Sequence, residues 1–472
     1  MSADGQGREP PGAAEKLRTL PQVQKLLETP RAQALLQVHA RESVVSALRA
    51  AVESARADLR AGAPPPDIET LAERAAAALA AEARPHLRHV TNATGVILHT
   101  NLGRAPLPTV ALEAMARASL GYSNLEFDLE IGTRGARAAG VEPLLCELTG
   151  AEAALAVNNA AAAVLLALSG LAAGGEVIVS RGEMVEIGGG FRIPEVVAQG
   201  GARLVEVGTT NKTRLDDYRR AIGERTRVLL KVHQSNYRIV GFTAEASLGE
   251  LSGLARERGL LLMHDLGSGA LADLVRLGRA PEPRPQESLA AGADLVAFSG
   301  DKLMGGPQAG LLVGRAAALE SLRRHPLMRA LRLDKGTLAA LEATLRLYRD
   351  PARAAAEIPV LRMLAQTAEQ VAARATRLGD LLQGRVPFEI CASAAQVGGG
   401  SLPGESLASW SLVLGETGAD AEPFAARLRS SAPPVIGRLS GGRLLLDLFT
   451  VADDEVEALA AAIRSAFEPS EE

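Results

Sequence analysis

Aromatic residues are scarce in this chain: Phe, Trp and Tyr make up 3% of its 472 residues, with a single tryptophan. A core of ordinary size must therefore be aliphatic, and the hydrophobic share of 47% supplies it. Cysteine is limited to Cys146 and Cys391, which argues against a disulfide framework and for a reducing compartment. The net charge of −4 provides no global basic field for nucleic acid. No charged-then-apolar leader opens the sequence, and no uninterrupted apolar run reaches about 18 residues. A soluble, cytoplasmic protein without membrane contact is expected, and its length fits two or three domains. No internal repeat is visible, and no metal site is expected.

Against these absences stands one lysine in an unusual setting. Residues 295–298, Leu-Val-Ala-Phe, read as a buried strand, and the chain then breaks into a polar loop with Ser299, Asp301 and Lys302. Gly305, Gly306 and Pro307 forbid a regular helix, and a second apolar run covers 311–313. A lysine on a tight loop between two buried strands is held rigidly, which suits a Schiff base with pyridoxal phosphate (PLP). A lone lysine is ordinarily a solvated surface residue, but a second signal is present. Leu-Leu-Leu-Met-His at 260–264 reads as a buried strand ending on Asp265 and a Leu-Gly-Ser-Gly loop, 37 residues before Lys302. In PLP enzymes of the aspartate-aminotransferase type, an Asp at a strand end protonates the pyridine nitrogen and the lysine comes later in the chain. Ser299 can turn its hydroxyl toward a phosphate.

The remaining pattern divides the chain into three parts, at 1–85, 86–340 and 341–472. Residues 1–13 read as a disordered tail. The stretch from Glu15 to about Gly62 is helical, with Val45, Leu48, Val52, Ala55 and Leu59 in one apolar stripe. Ala63-Pro64-Pro65-Pro66 stops it, and Asp67 looks like the N-cap of a helix through Glu82. Residues 1–50 hold seven Lys/Arg against five acids, a small basic excess compatible with a dimerisation arm or an RNA contact. From 150 onward, strand candidates at 154–157, 176–180, 203–207, 227–233, 260–264, 294–298 and 311–313 alternate with helical stretches. That is an α/β fold with a seven-stranded, mostly parallel sheet. Its first strand ends at Asn158 and Asn159, where a helix begins whose free N–H groups can hold an anion; an ordinary strand-to-helix turn gives the same pattern. The strand ending in His233-Gln234-Ser235-Asn236 can offer a polar side chain such as Asn236 to a cofactor's O3′, or simply a core histidine. Long helical runs at 337–349 and 359–383 lead into a small α+β C-terminal domain, with strands near 409–415 and 443–449 and a closing helix at 453–467.

Several strings are long and chemically unusual. They include Asn92-Ala93-Thr94-Gly95 through His99-Thr100-Asn101-Leu102-Gly103-Arg104, Gly121-Tyr122-Ser123-Asn124-Leu125-Glu126 and Ser180-Arg181-Gly182-Glu183. Glu206-Val207-Gly208-Thr209-Thr210-Asn211, Ser235 through Phe242 and Ser299-Gly300-Asp301-Lys302 extend the set. Together with Leu20-Pro21-Gln22-Val23 they resemble the bacterial selenocysteine synthase (L-seryl-tRNA(Sec) selenium transferase) family over nearly the whole chain; members tend to show a third Asn where Ala160 stands. The resemblance implies a fold-type-I PLP-dependent transferase. It also implies conversion of seryl-tRNA(Sec) with selenophosphate, through a PLP aldimine and a dehydroalanyl-tRNA. It assigns Lys302 as the aldimine lysine and base, Asp265 as partner of the pyridinium, and Asp301 as a helper acid. Arg104, Arg329 and Arg332 match the family's set for the selenophosphate or phosphate, the last two sharing a face if helical. Ser299, Asn158, Asn159 and Asn236 remain as cofactor contacts. The N-terminal unit is assigned to tRNA(Sec), and a homo-oligomer, a decameric ring of dimers, is implied. Two other readings stay open: a related PLP lyase acting on a small amino acid or amino sugar without tRNA, and a non-catalytic tRNA-binding scaffold.

Overall fold

The computed structural model describes residues 17–415 and 421–467. The expected tail at 1–13, with part of the basic excess, lies outside them. The chain divides into two compact units, Met1–His89 and Val90–Glu472.

The first unit is all helix. The helical run expected over 15–62 is three helices: α1 (Val23–Leu27), α2 (Pro30–Val38) and α3 (Arg41–Arg60). The first break is chemical. Thr29 accepts a hydrogen bond from the Ala32 N–H and Pro30 sits at N1, so the chain restarts a helix there. Asp67 caps α4 (Ile68–Glu82) by accepting from the Thr70 N–H at 2.7 Å, as the sequence predicts. Leu48, Val52 and Ala55 on α3 meet Leu71, Ala75 and Leu79 on α4 in a small apolar core.

The second unit is built on a seven-stranded sheet. Its strands in chain order are β1 (Ala153–Val157), β2 (Glu176–Ser180), β3 (Arg203–Val207), β4 (Thr226–Val232), β5 (Leu261–Gly267), β6 (Leu295–Ser299) and β7 (Gly310–Gly314). The spatial order is β1-β7-β6-β5-β4-β2-β3. All neighbours are parallel except β7, which runs antiparallel to both β6 and β1. Apolar residues cover both faces, as parallel strands between helix layers require. The parallel strands end along one edge, and the loops beyond them carry the polar residues predicted from sequence.

Beyond the sheet, the predicted helical run at 359–383 is broken at Ala365–Thr367, where Thr367 and Gln370 form a capping box. The C-terminal sheet has four strands, β8 (Glu389–Gln396), β9 (Ser406–Leu414), β10 (Arg438–Ser440) and β11 (Arg443–Asp447), in the order β8-β9-β11-β10. The segment 91–98 threads onto this part of the chain. Thr91 and Asn92 pair with Val435 and Ile436, and Ile97 and Leu98 donate to the carbonyls of Gln396 and Val397. The buried carboxylate of Asp447 fixes the junction. It accepts from Ser409 at 2.6 Å and Ser393 at 3.0 Å, and a Cβ on Gly95 would lie 2.5 Å from its carboxyl carbon.

Candidate active site

The loops leaving β5 and β6 set the polar cluster. Asp265 is the fifth residue of β5 and pairs with Ala297 of β6; a bulge comes next, so Gly267 opposes Phe298. Gly267 and Gly269 both have positive φ, 64° and 72°. A Cβ on Gly269 would lie 2.0 Å from the Ser299 carbonyl oxygen. The Leu-Gly-Ser-Gly string is thus the close approach of one strand exit to the next. The hairpin from β6 to β7 carries Lys302. Gly300 N–H donates to Ala309 O at 2.8 Å, Gly305 N–H to Lys302 O at 2.9 Å, and Leu303 N–H to Ser268 O at 3.1 Å.

Lys302 is 4% exposed and Asp265 7%. Burial pushes the Lys302 ammonium below its ordinary range, and the Arg104 cation pushes it further, against the carboxylates of Asp301, Asp265 and Glu282. A lysine shifted toward its neutral form is a better nucleophile than a solvated one. Burial lifts Asp265 to about 6, opposed by Lys302, the Gly267 N–H and His233. Such a carboxyl gains from a cationic N–H donor placed against it.

Arg104 reaches the same loop from the other side. Its Nη1 donates to Asp301 Oδ2 at 2.7 Å, with Asp301 side chain 11% exposed. Arg104 has φ 60° and comes after Gly103 at φ 89°. The left-handed backbone of a non-glycine residue costs about 1 kcal/mol, and the turn aims the guanidinium at Asp301. Replacing Arg104 by alanine removes a cation from beside Lys302 and leaves Asp301 uncompensated. Both changes favour the ammonium. The midpoint of the pH profile for PLP incorporation into the cofactor-free protein is therefore expected to move to higher pH. An unmoved midpoint would show that Arg104 exerts no field on the lysine.

The other predicted residues are placed less centrally. Ser299 closes β6, 3% exposed, opposite Gly310. Asn158 is exposed and its N–H donates to Leu331 O. Asn159 spends its side chain as the N-cap of the helix Ala160–Leu171, accepting from Ala162 N–H at 2.8 Å, so that N–H is not free for an anion. Asn236 donates its amide to Glu186 O at 2.8 Å. Arg329 lies exposed in the short helix Pro326–Ala330. Arg332 falls past the end of that helix, in a bridge to Val157, with Nη1 3.8 Å from Glu126 Oε1. The shared helical face expected for these two arginines is not formed, because the chain turns extended to pair with β1.

Structure adds contacts that sequence reasoning did not place. His233 Nε2 lies 3.1 Å from Glu282 Oε1, and His233 N–H donates to Asp265 O at 2.8 Å. Glu282 sits between Pro281 and Pro283, with nothing in its neighbours to mark it. The hydroxyls of Ser235 and Ser268 are buried without a partner, and a Cβ on Gly267 would lie 3.5 Å from Ser235 Oγ and 4.0 Å from Lys302 Nζ. Unpaired buried hydroxyls beside a buried amine and a buried acid fit a polar cofactor with several acceptor atoms. Among the described residues no group of three or more His, Cys, Asp or Glu is placed to hold a metal ion, and no helix is long and apolar enough to cross a membrane.

Two family models match the chain: "L-seryl-tRNA selenium transferase" over residues 90–452 and "Selenocysteine synthase N terminal" over residues 17–56. The L-seryl-tRNA(Sec) selenium transferase of Geobacter sulfurreducens is 51% identical over 452 residues, 94% of this chain and 98% of the relative. That of Hyphomonas neptunium is 50% identical over 454 residues, 95% and 98% of the two chains. Among solved structures, a D-glucosaminate-6-phosphate ammonia-lyase superposes with a TM-score of 0.57 at 23% identity, covering 80% of this chain and 96% of that one, and it bears on the fold alone.

Proposed function

Because the chain belongs to the L-seryl-tRNA selenium transferase family, we propose that the Lys302–Asp265 site converts L-seryl-tRNA(Sec) to L-selenocysteinyl-tRNA(Sec) with PLP as cofactor. The observation that carries the reading is a buried lysine and a buried aspartate facing each other's charge at the strand exits of a fold-type-I sheet. Bound there, PLP supplies an electron sink for charge developing at the seryl α-carbon. Lys302 holds the cofactor and then, as a free neutral amine, takes the α-proton. Asp265 holds the pyridine proton. Ser299, the turn at Asn158 and Asn159, and Asn236 are proposed for the phosphate and ring oxygen. The main-chain N–H groups at that turn, rather than the Asn159 side chain, are the better anion donors, since that side chain is already a cap.

The β-hydroxyl must leave and selenium must enter. Selenophosphate is the proposed donor, with Arg104, Arg329 and Arg332 as candidates for its oxygens, since guanidinium groups suit phosphate geometry. Asp301, which accepts from Arg104 and precedes Lys302 in the chain, is proposed as the helper acid of that step. A small-molecule lyase is the weaker reading, because the helical first unit is present and matches its own family model.

That unit is proposed to bind tRNA(Sec). Arg18, Lys25, Arg31, Arg41 and Arg49 are exposed on it, and structured RNA is recognised largely through backbone and shape. The unit closes at His89, since α4 completes its core, so the clean deletion is 1–89. The remaining protein is expected to keep PLP and to bind labelled tRNA(Sec) at least tenfold more weakly, while binding by the intact chain falls as salt rises. Equal affinity of both proteins, with tRNA(Ser) as competitor, would move recognition elsewhere. A cytoplasmic homo-oligomer, a ring of dimers, is proposed as well. It is supported by two free cysteines and by exposed Leu120, Tyr122, Leu129, Ile131, Val240 and Phe242, which a second copy can cover.

A further inference from the structure

Lys302 is walled by a segment far away in sequence. After β8 the chain runs Gly398-Gly399-Gly400-Ser401. Its start is fixed: Leu98 N–H donates to Val397 O at 2.7 Å, and a Cβ on Gly398 would lie 2.8 Å from Leu98 O. The loop is thereby tied to the stretch that carries Arg104. Gly400 is buried, with φ 85°. A Cβ placed on it would sit 2.6 Å from Lys302 Nζ and 3.2 Å from Cε. Its neighbours differ. Gly399 is exposed, and a Cβ on it or on Gly404 would meet nothing within 4 Å; Gly404 shares the positive φ, at 77°.

We propose that Gly400 is a positioning residue for Lys302: its bare backbone sets where the lysine amine lies and keeps the space beside it open for an incoming primary amine. The proposal rests on the PLP reading of this site. The conflict that a side chain would create falls on the free end of Lys302, the part of that residue able to move. A substituted protein therefore folds and accepts the contact by displacing its amine. Exchange at the lysine needs lateral room. With PLP bound, the incoming nitrogen would add to the carbon that holds Lys302, a proton would pass from the incoming nitrogen to the lysine nitrogen, and the bond to Lys302 would break as the double bond re-forms to the incoming nitrogen, leaving a neutral lysine. Both nitrogens must approach one carbon at once, and a methyl group at position 400 would occupy that space.

The test uses the full-length holoenzyme and hydroxylamine as the small amine. Hydroxylamine takes the cofactor as an oxime and frees Lys302, which is read as loss of the lysine-bound absorbance band. The variants are Gly400→Ala, Gly400→Asn, Gly399→Ala and Gly404→Ala. Asn tolerates a left-handed backbone, so Gly400→Asn keeps the added Cβ with less strain, while Gly404→Ala carries the strain without the contact. Gly399→Ala and Gly404→Ala are expected to react within about twofold of the parent. Both position-400 variants are expected to form a weaker band and to react at least tenfold more slowly, with far-ultraviolet circular dichroism unchanged. Parent-like rates in both position-400 variants overturn the proposal, as does an equal slowing in Gly404→Ala. Unfolding of both position-400 variants beside a folded Gly404→Ala also overturns it, because the contact would then not fall on a movable side-chain end. A parent protein with no hydroxylamine-sensitive band contradicts the PLP reading itself, a separable failure.

Discussion

Replacing Lys302 by alanine is expected to abolish the lysine-bound PLP band and to lower turnover by at least about a thousandfold, the scale on which removal of a general base acts. The lysine is 4% exposed, and burial together with Arg104 holds it toward the neutral amine. Its removal takes away both the covalent holder of the cofactor and the base for the α-proton. The fold should survive. The backbone of the hairpin is held by its own hydrogen bonds, Gly300 to Ala309, Gly305 to Lys302 and Leu303 to Ser268, and none uses the amine. The Arg104–Asp301 pair also stays in place. Absorbance, borohydride trapping and circular dichroism on one preparation separate the outcomes. A folded variant that still yields a borohydride-trapped PLP peptide would mean that another lysine carries the cofactor.

Replacing Asp265 by asparagine is expected to keep the cofactor while lowering turnover by about a hundredfold, comparable to losing one preorganised electrostatic group. A neutral amide cannot hold the pyridine proton, so the electron sink weakens. This variant also carries a pH signature. Burial raises Asp265 from 3.8 to about 6 in the cofactor-free protein. A raised folded value contributes stability that is complete below 3.8 and lost as pH rises through about 6. A pyridinium N–H beside the carboxylate reverses that loss. The rise in Tm on adding PLP should accordingly be larger at pH 8 than at pH 5, and Asp265→Asn should flatten the difference. An increment independent of pH in the parent would remove Asp265 from the cofactor.

The central sheet was legible because its strands are buried on both faces. Such strands appear as short unbroken apolar runs; six of the seven lie within one residue of their expected spans, and β5 runs three residues further, to Gly267. The strand β8, Glu-Ile-Cys-Ala-Ser-Ala-Ala-Gln, was missed: it is a half-exposed edge strand of small residues, with no apolar run to announce it. Lys302 and Asp265 were readable because each sits where a buried strand breaks into a glycine loop, which is a local signal. Glu282 and Gly400 were not. Each reaches the site through tertiary approach, and the glycine triplet at 398–400 carries no side chain to suggest chemistry. The misplaced helical face of Arg329 and Arg332 has the same origin. A bridge from Arg332 to Val157, distant in sequence, ended the helix at Ala330.

The most direct measurement incubates the purified protein with seryl-tRNA(Sec), selenophosphate and PLP, then identifies the amino acid released from the tRNA by mild alkaline hydrolysis. Selenocysteine is predicted in place of serine with the parent protein, and serine unchanged with Lys302→Ala. Serine unchanged with the parent, from a protein that carries lysine-bound PLP and binds the tRNA, would contradict the assignment of this site to selenium transfer.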